Sequence, residues 1–407
     1  MKNENNGKNA QARLCIMLFL QYMLLAVWWI PYAAYLTNEG ISDSVKAIAL
    51  SAMAVGFMAS SIVGAFADRY FSAQRVLSFT NLVAAGLLLF AGLMRNSVVT
   101  MVSVYALMLL YMPTWSLTGS IVLKHVRPEQ FPRVRLFGTL GWVSSGLFSL
   151  VFVKLLNIQP FDGSILPFFC GSAIALTAGI FDFFLPDTPP SAVKEKFSIG
   201  NILGFKAFVI FKDRNFLLFF LCTFTAVLGY SLYYTYGSMF LQDRKFELIT
   251  VTMNWGQVGE LFFLFITTIV LSRLGFKKTM IIGLSAMVAR YASFWYGSSI
   301  DSHTFYIIGI LFHGIIFGLF FVSGQIYTDQ KSPANMRAQA QGLLAFLVWG
   351  IALLAGNFLC SSLIKINTTI DSDGIVQYQW PSVFAVVTIF SAIVLTVFIL
   401  FFRDEKK

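Results

Sequence analysis

Met253-Asn254-Trp255-Gly256-Gln257-Val258-Gly259-Glu260-Leu261-Phe262-Phe263-Leu264-Phe265 is the stretch on which the reading of the chain turns. It sets a carboxylate, Glu260, well inside a hydrophobic run long enough to cross a bilayer. An ionisable side chain at that depth costs on the order of 2.5 kcal/mol or more unless it faces water or a partner. Asn254, Gln257 and Glu260 recur every three residues, so a helix places them roughly along one face, and Gly256 and Gly259 beside them let a neighbouring helix approach. The expectation is a polar face lining a solute pathway, with the rest of the chain built around it in two parts.

Working outward, the 407 residues are 57% hydrophobic and 12% charged, which is too apolar for a soluble domain of this size. A hydrocarbon core about 30 Å thick takes about 20 apolar residues per helix. Twelve such segments, centred near residues 24, 56, 85, 110, 146, 175, 228, 261, 288, 316, 350 and 392, predict an all-α protein with twelve transmembrane helices. Long helical runs in place of short alternating ones exclude a transmembrane barrel.

The net charge of +10 describes topology and not nucleic-acid binding. With the N-terminus inside, 22 of the 29 Lys and Arg residues fall on the inner side, six outside, and Arg290 within a span. That asymmetry is the positive-inside pattern and predicts both termini in the cytoplasm. The first apolar run, Leu14 to Leu36, is full length and lacks a cleavage site, so it is expected to stay as a span. Cys15, Cys170, Cys222 and Cys360 lie in apolar segments without paired spacing, which reads as packing, with no metal and no cofactor. His125, His303 and His313 are scattered, so no clustered nucleophile or metal set suggests an enzyme. The expected protein is a monomer in a lipid bilayer.

An internal repeat divides the chain. Gly64-Ala65-Phe66-Ala67-Asp68-Arg69-Tyr70-Phe71-Ser72-Ala73-Gln74-Arg75 is echoed by Leu271-Ser272-Arg273-Leu274-Gly275-Phe276-Lys277-Lys278, with Arg69 and Arg273 separated by 204 residues, half the chain. This predicts two six-helix halves, 1–186 and 215–407. The linker 187–214 holds a proline-rich break, Pro186-Asp187-Thr188-Pro189-Pro190, and then Ile202 to Lys212, amphipathic enough to lie on the inner membrane surface. The first loop resembles the major facilitator signature G-x-x-x-D-R-x-x-x-[RK]-[RK], with its basic tail displaced. Asp68, Arg69, Arg75 and Arg273 then form a cytoplasmic charge latch, and the second copy has lost its aspartate.

Other positions could face a pathway. Arg135, Thr139 and Trp142 are spaced four and three, hence on one face, with Gly138 and Gly141 on another where a helix can pack. Arg135 reads either as a cavity cation or as an arginine snorkelling to phosphates. Gln21 and Trp28, two turns apart, offer one candidate toward a cavity. Pro113 frees a backbone carbonyl that only a protein interior or wet cavity tolerates. Tyr230, Tyr233, Tyr234 and Tyr236 serve either as an interfacial belt or as a stacking surface. Arg290 is expected to be structural, paired with a carbonyl or an acid. His313 is either a hydrogen-bonded core residue or a group titrating at a cavity.

Phe19-Leu20-Gln21-Tyr22 with Trp28, Tyr111-Met112-Pro113-Thr114, Phe131-Pro132-x-x-Arg135-x-x-Gly138-Thr139-x-Gly141, Gln257-x-x-Glu260, Arg290 with Tyr296-Gly297, and Ser332-Pro333-Ala334 leading to Arg337-Ala338-x-Ala340-Gln341-Gly342 together give the chain a resemblance to a known family. It is similar to the nucleoside:proton symporters of the major facilitator superfamily. The resemblance implies that Arg135, Thr139, Trp142, Gln257 and Glu260 contribute to a nucleoside site, together with Trp28 and Phe317. Where that family has a Gln and an Asn, Ser231 and Tyr234 align; a tyrosine becomes His313, and the aspartate implicated in proton coupling becomes Gly318. The implied activity is proton-coupled uptake of a nucleoside-like polar solute by alternating access across a bacterial inner membrane, with Glu260 carrying the proton and His313 as an alternative or partner in that role. The rival readings are a permease for a sugar or cell-wall fragment, working as a uniporter if coupling went with the aspartate, and a non-transporting receptor.

Overall fold

The computed structural model describes the chain apart from residues 1, 95, 128–129, 191–204, 334–335, 371, 374–375 and 405–407, and leaves out the side chains of 2–8, 61, 65–69, 132, 205–206 and 338. Among the described residues, eleven helical spans are long and apolar enough to cross a membrane: Asn9–Asn38, Asp43–Ser60, Ala73–Met94, Ser97–His125, Arg133–Leu155, Leu166–Phe184, Arg214–Asp243, Ile249–Ile300, His303–Lys331, Gln339–Ile366 and Trp380–Phe401. Ordinal numbers below follow this order. The expected centres at 261 and 288 share the eighth span, whose 52 residues amount to roughly 78 Å of helix, more than twice a hydrocarbon core. Gly275, at φ 74° and ψ 177°, interrupts it with a backbone conformation open essentially only to glycine.

Local sequence explains the other irregularities. Pro31 and Pro113 lack an amide hydrogen, and the helices break at each, between Trp29 and Tyr32 and between Tyr111 and Thr114. Asn96 starts the fourth span by accepting from the amides of Val98 and Val99 at 3.0 and 3.2 Å. Three stretches widen into π-helix, Val151–Leu155, Ile316–Val322 and Phe346–Ala352. The all-α expectation needs one amendment. Thr368–Ile370 (β1) and Val376–Tyr378 (β2) pair antiparallel, Thr368 opposite Tyr378, where β-branched and aromatic residues cluster beyond the tenth span. The expected surface helix after the linker is a 3-10 helix, Phe205–Lys212, in its described part.

The chain forms two compact units, Met1–Ile202 with Leu241–Asn254, and Leu203–Phe240 with Trp255–Lys407. In the first, Leu14, Leu18, Leu77, Leu117, Ile121 and Val134 form a buried apolar cluster against which Trp115 and Trp142 pack. Gly141 makes it possible: a Cβ there would lie 2.0 Å from the carbonyl oxygen of Phe19, so the first and fifth spans touch backbone to backbone.

The latch region divides unevenly. Arg75 and Arg273 are exposed, while the side chains of Asp68 and Arg69 lie outside the described residues. After the sixth span, Asp187 accepts from Gln74 Nε2 at 2.6 Å, and Gln74 Oε1 accepts from the Thr188 amide at 2.9 Å. In the second unit Asp404 Oδ1 accepts from the Lys277 amide at 2.9 Å, beside Gly275. The loop whose own aspartate is missing thus receives a carboxylate from the end of the chain.

Candidate functional site

In the second unit the polar face of the eighth span meets the ninth span. Gly314 stands against Gly259 so closely that a Cβ would lie 2.2 Å from its carbonyl carbon, and Gly256 faces His313 in the same way. This approach brings His313 Nε2 to 3.0 Å from Gln257 Nε2 and 3.5 Å from Glu260 Oε2. One nitrogen therefore has two possible partners: unprotonated, it accepts from the Gln257 amide; protonated, it donates to the Glu260 carboxylate. Glu260 and His313 are buried, at 7% and 3% exposure, and His313 Nδ1 has no partner among the described residues.

Aromatic rings wall this triad. His313 stacks with Phe317 (centroids 6.2 Å, 17°) and Tyr230 (6.2 Å, 29°), and Tyr230 stacks with Tyr234 at 5.6 Å. Trp349 lies within 6.4 Å of Tyr230, Tyr234 and Phe321. Phe317, Phe321 and Trp349 all sit on the two π-helical stretches, whose wide turns shift side chains off the ordinary helical face. A cleft of about 40 Å³ adjoins Phe321 and Trp349, with Gln325 and Gln341 on its lining. Beneath the tyrosines, Arg290 is fully buried with its Cζ 4.4 Å from the Tyr233 centroid and 5.7 Å from that of Tyr230. Its three guanidinium nitrogens have no hydrogen-bond partner among the described residues, so tyrosine faces hold it in place of the expected carbonyl or acid.

Other expected residues are placed differently. Ser231 is fully buried, its hydroxyl donates to Val227 O at 2.8 Å, and it packs on Gly356, which removes it from this wall. Tyr234 stays on it. Asn254, in the first unit, donates to Val143 O at 3.1 Å and Ser145 Oγ at 3.3 Å, so it parts from Gln257 and Glu260. Gly318 leaves no vacancy for a carboxylate, since a Cβ would lie 2.9 Å from Thr267 Oγ1 and 3.1 Å from Phe263 Cβ.

In the first unit Arg135 is half-buried, its Cζ 4.3 Å from the Tyr22 centroid, and Tyr22 stacks on Trp115 at 5.1 Å. Thr139 is buried on the same helix and Trp142 is half-buried. Neither Gln21 nor Trp28 opens to a cavity. Trp28 is 2% exposed among Trp29, Tyr32 and Phe168, and Gln21 is fully enclosed in hydrogen bonds. Both face neighbouring helices, which two turns of spacing could not reveal.

Sequence reasoning missed Trp349, Phe321 and Asp162. Asp162, in the loop before the sixth span, is 3% exposed and accepts from Ser149 Oγ at 2.7 Å, the Thr250 amide at 3.1 Å and Thr250 Oγ1. Burial pushes its carboxyl up, against the pull of those donors. The four cysteines are free thiols, and no group of residues that could hold a metal occurs among those described.

The sequence pattern of the nucleoside H+ symporter family matches residues 8–407. YegT of Escherichia coli (strain K12) is 31% identical over 402 residues, covering 97% of this chain and 94% of that one. Xanthosine permease of the same organism is 27% identical over 425 residues, covering 97% of each. The crystal structure of the nucleoside transporter NupG, 22% identical, superposes with a TM-score of 0.83 over 98% of this chain and all of that one, which establishes the shared major facilitator fold. The chain belongs to the nucleoside H+ symporter family, a family of multi-pass membrane transporters.

Proposed function

We propose that the protein carries a nucleoside with a proton across the bacterial inner membrane, into the cytoplasm, by alternating access of two six-helix halves, 1–186 and 215–407, joined by 187–214. The observation that carries this reading is the polar triad Gln257, Glu260 and His313 set against the rings of Tyr230, Tyr234, Phe317 and Trp349. A nucleoside presents a flat π-faced base and a hydroxylated sugar; stacked rings suit the first, and a carboxylate with an amide suits the second. Arg135, Thr139 and Trp142 are a candidate solute-binding set of their own in the first unit. The relatives named xanthosine permease and nucleoside permease support the substrate class.

Proton coupling rests on Glu260 and His313 together. A proton on either group can be shared across their 3.5 Å separation, and a solute hydroxyl or ring nitrogen bonding to Glu260 or Gln257 changes which partner His313 Nε2 meets. Arg75 and Arg273, with Asp68 and Arg69, act as the cytoplasmic latch, and both termini lie in the cytoplasm. A thermal-shift screen of the purified protein against nucleosides, nucleobases, sugars and amino sugars at two pH values tests the reading. Stabilisation by nucleosides, stronger at one pH, is expected; silence there with a response to sugars would overturn it.

A further inference from the structure

A further buried carboxyl, far in sequence from Glu260, sits in the first unit. Asp182 ends the helix Leu166–Phe181 and is 1% exposed. Asn81 Nδ2 donates to its Oδ2 at 2.8 Å and to Gln21 Oε1 at 2.9 Å. Gln21 Nε2 donates in turn to Thr114 Oγ1 at 2.7 Å, and Thr114 Oγ1 to Tyr111 O at 2.6 Å. Nδ2 thus points its N–H groups at two acceptors, and the other end of the amide, Oδ1, is buried with no donor among the described residues.

An ionised Asp182 does not fit these surroundings. A buried carboxylate needs several donors or a cation, and the one side-chain donor to Asp182 among the described residues is the Asn81 amide. The charged and titratable groups on the elements around it are engaged or turned away. Arg13 donates to Phe184 O at 2.8 Å, Arg75 is exposed, Asp187 accepts from Gln74, and the Tyr111 hydroxyl donates to Gln21 O. None forms an ion pair with Asp182 among the described residues. A neutral acid needs fewer donors, and its O–H is the kind of donor that the orphaned Asn81 Oδ1 lacks, while its other oxygen keeps the Asn81 N–H.

We propose that Asp182 is a second proton-binding carboxyl of this transporter, held as the neutral acid against Asn81 and tied through Gln21 to the first span. The role in coupling rests on the proton-coupled reading above; the proton on Asp182 does not. When Asn81 and Asp182 part and water reaches the carboxyl, the proton passes to that water and the carboxylate left behind is hydrated.

Infrared difference spectroscopy of the full-length protein, titrated between acid and alkaline pH, reads this directly. A carboxylic-acid carbonyl band persisting at neutral pH is expected, present in Glu260→Gln, lost in Asp182→Asn, and displaced in Asn81→Ala. An identical band in wild type and Asp182→Asn would overturn the proposal. Should Asp182→Asn fail to fold, the Asn81→Ala spectrum decides: an undisplaced band overturns it. In proteoliposomes Asp182→Asn, which mimics the neutral acid, should keep nucleoside counterflow and lose accumulation driven by a pH gradient. Full accumulation would remove Asp182 from coupling, whereas a wild-type protein indifferent to pH would sink the symport reading and leave the infrared result standing.

Discussion

Arg135 and Arg290 each lay a guanidinium over a tyrosine ring, 4.3 Å from the Tyr22 centroid in the first unit and 4.4 Å from that of Tyr233 in the second. The stacking is nearly identical and the surroundings are opposite. Arg135 is half-buried, while Arg290 is sealed at 0% exposure with no hydrogen-bond acceptor among the described residues. The same contact therefore holds a partly solvated cation in one unit and offsets the cost of an enclosed one in the other. It also sets a standing positive charge under the rings that carry His313, in the unit where Glu260 is the buried carboxylate.

The comparison can be broken most easily at Arg290. Arg290→Ala removes a desolvated cation–π contact and leaves a cavity, and is expected to cost about 3 kcal/mol or more of stability, against less than about 1 kcal/mol for Arg135→Ala. Thermal unfolding of the two purified variants measures the difference, and equal shifts would mean that burial does not separate their jobs. Next in size, Arg135→Lys is expected to weaken nucleoside binding by about 1.5 kcal/mol, roughly tenfold, because a lysine neither stacks on Tyr22 nor offers a planar fork. Titration calorimetry reads this, and unchanged affinity would return Arg135 to the snorkelling role.

Ser231→Ala sharpens the boundary of the second unit's wall. With its hydroxyl already given to Val227 O, the loss should change affinity by less than about 0.5 kcal/mol; a larger fall would show that the hydroxyl reaches the solute. The smallest expected effect lies outside the membrane. Partial burial disfavours the charge on Asp213, but Lys331 at 2.6 Å and the amides of Asn215 and Phe216 outweigh it and hold the carboxyl below its ordinary range. Such a depressed acid lends stability above its unfolded-state pKa and loses it as pH falls through the folded value. Because the pair is only partly buried and screened by solvent, it should contribute well under about 1 kcal/mol. Asp213→Asn should flatten the acid limb of stability against pH, and an unaltered limb would dismiss the pair.

Much of this was legible before any coordinates. Lipid forces backbone polar groups into helices, so long apolar runs announce spans. Gln257 and Glu260 stood out because a carboxylate has no business in lipid without a purpose. What stayed hidden depended on neighbours distant in the chain. Trp28 and Gln21 share a helix face, but the third, fourth and sixth spans, through Asn81, Thr114 and Phe168, determine that this face is buried. Asp404 replaces the acid missing from the second loop from 127 residues away. Trp349 and Phe321 reach the wall through π-helical turns, and a period of 3.6 assigns them elsewhere. Asp182 reads as an ordinary helix-end acid until Asn81 is seen beside it.

The central claim is that Glu260, with His313, couples a proton to the uptake of a nucleoside. Uptake of radiolabelled nucleoside into proteoliposomes under an imposed pH gradient, wild type beside Glu260→Gln, tests it most directly. The account predicts accumulation above equilibrium in the wild type and none in the glutamine variant; full pH-driven accumulation by Glu260→Gln would contradict it.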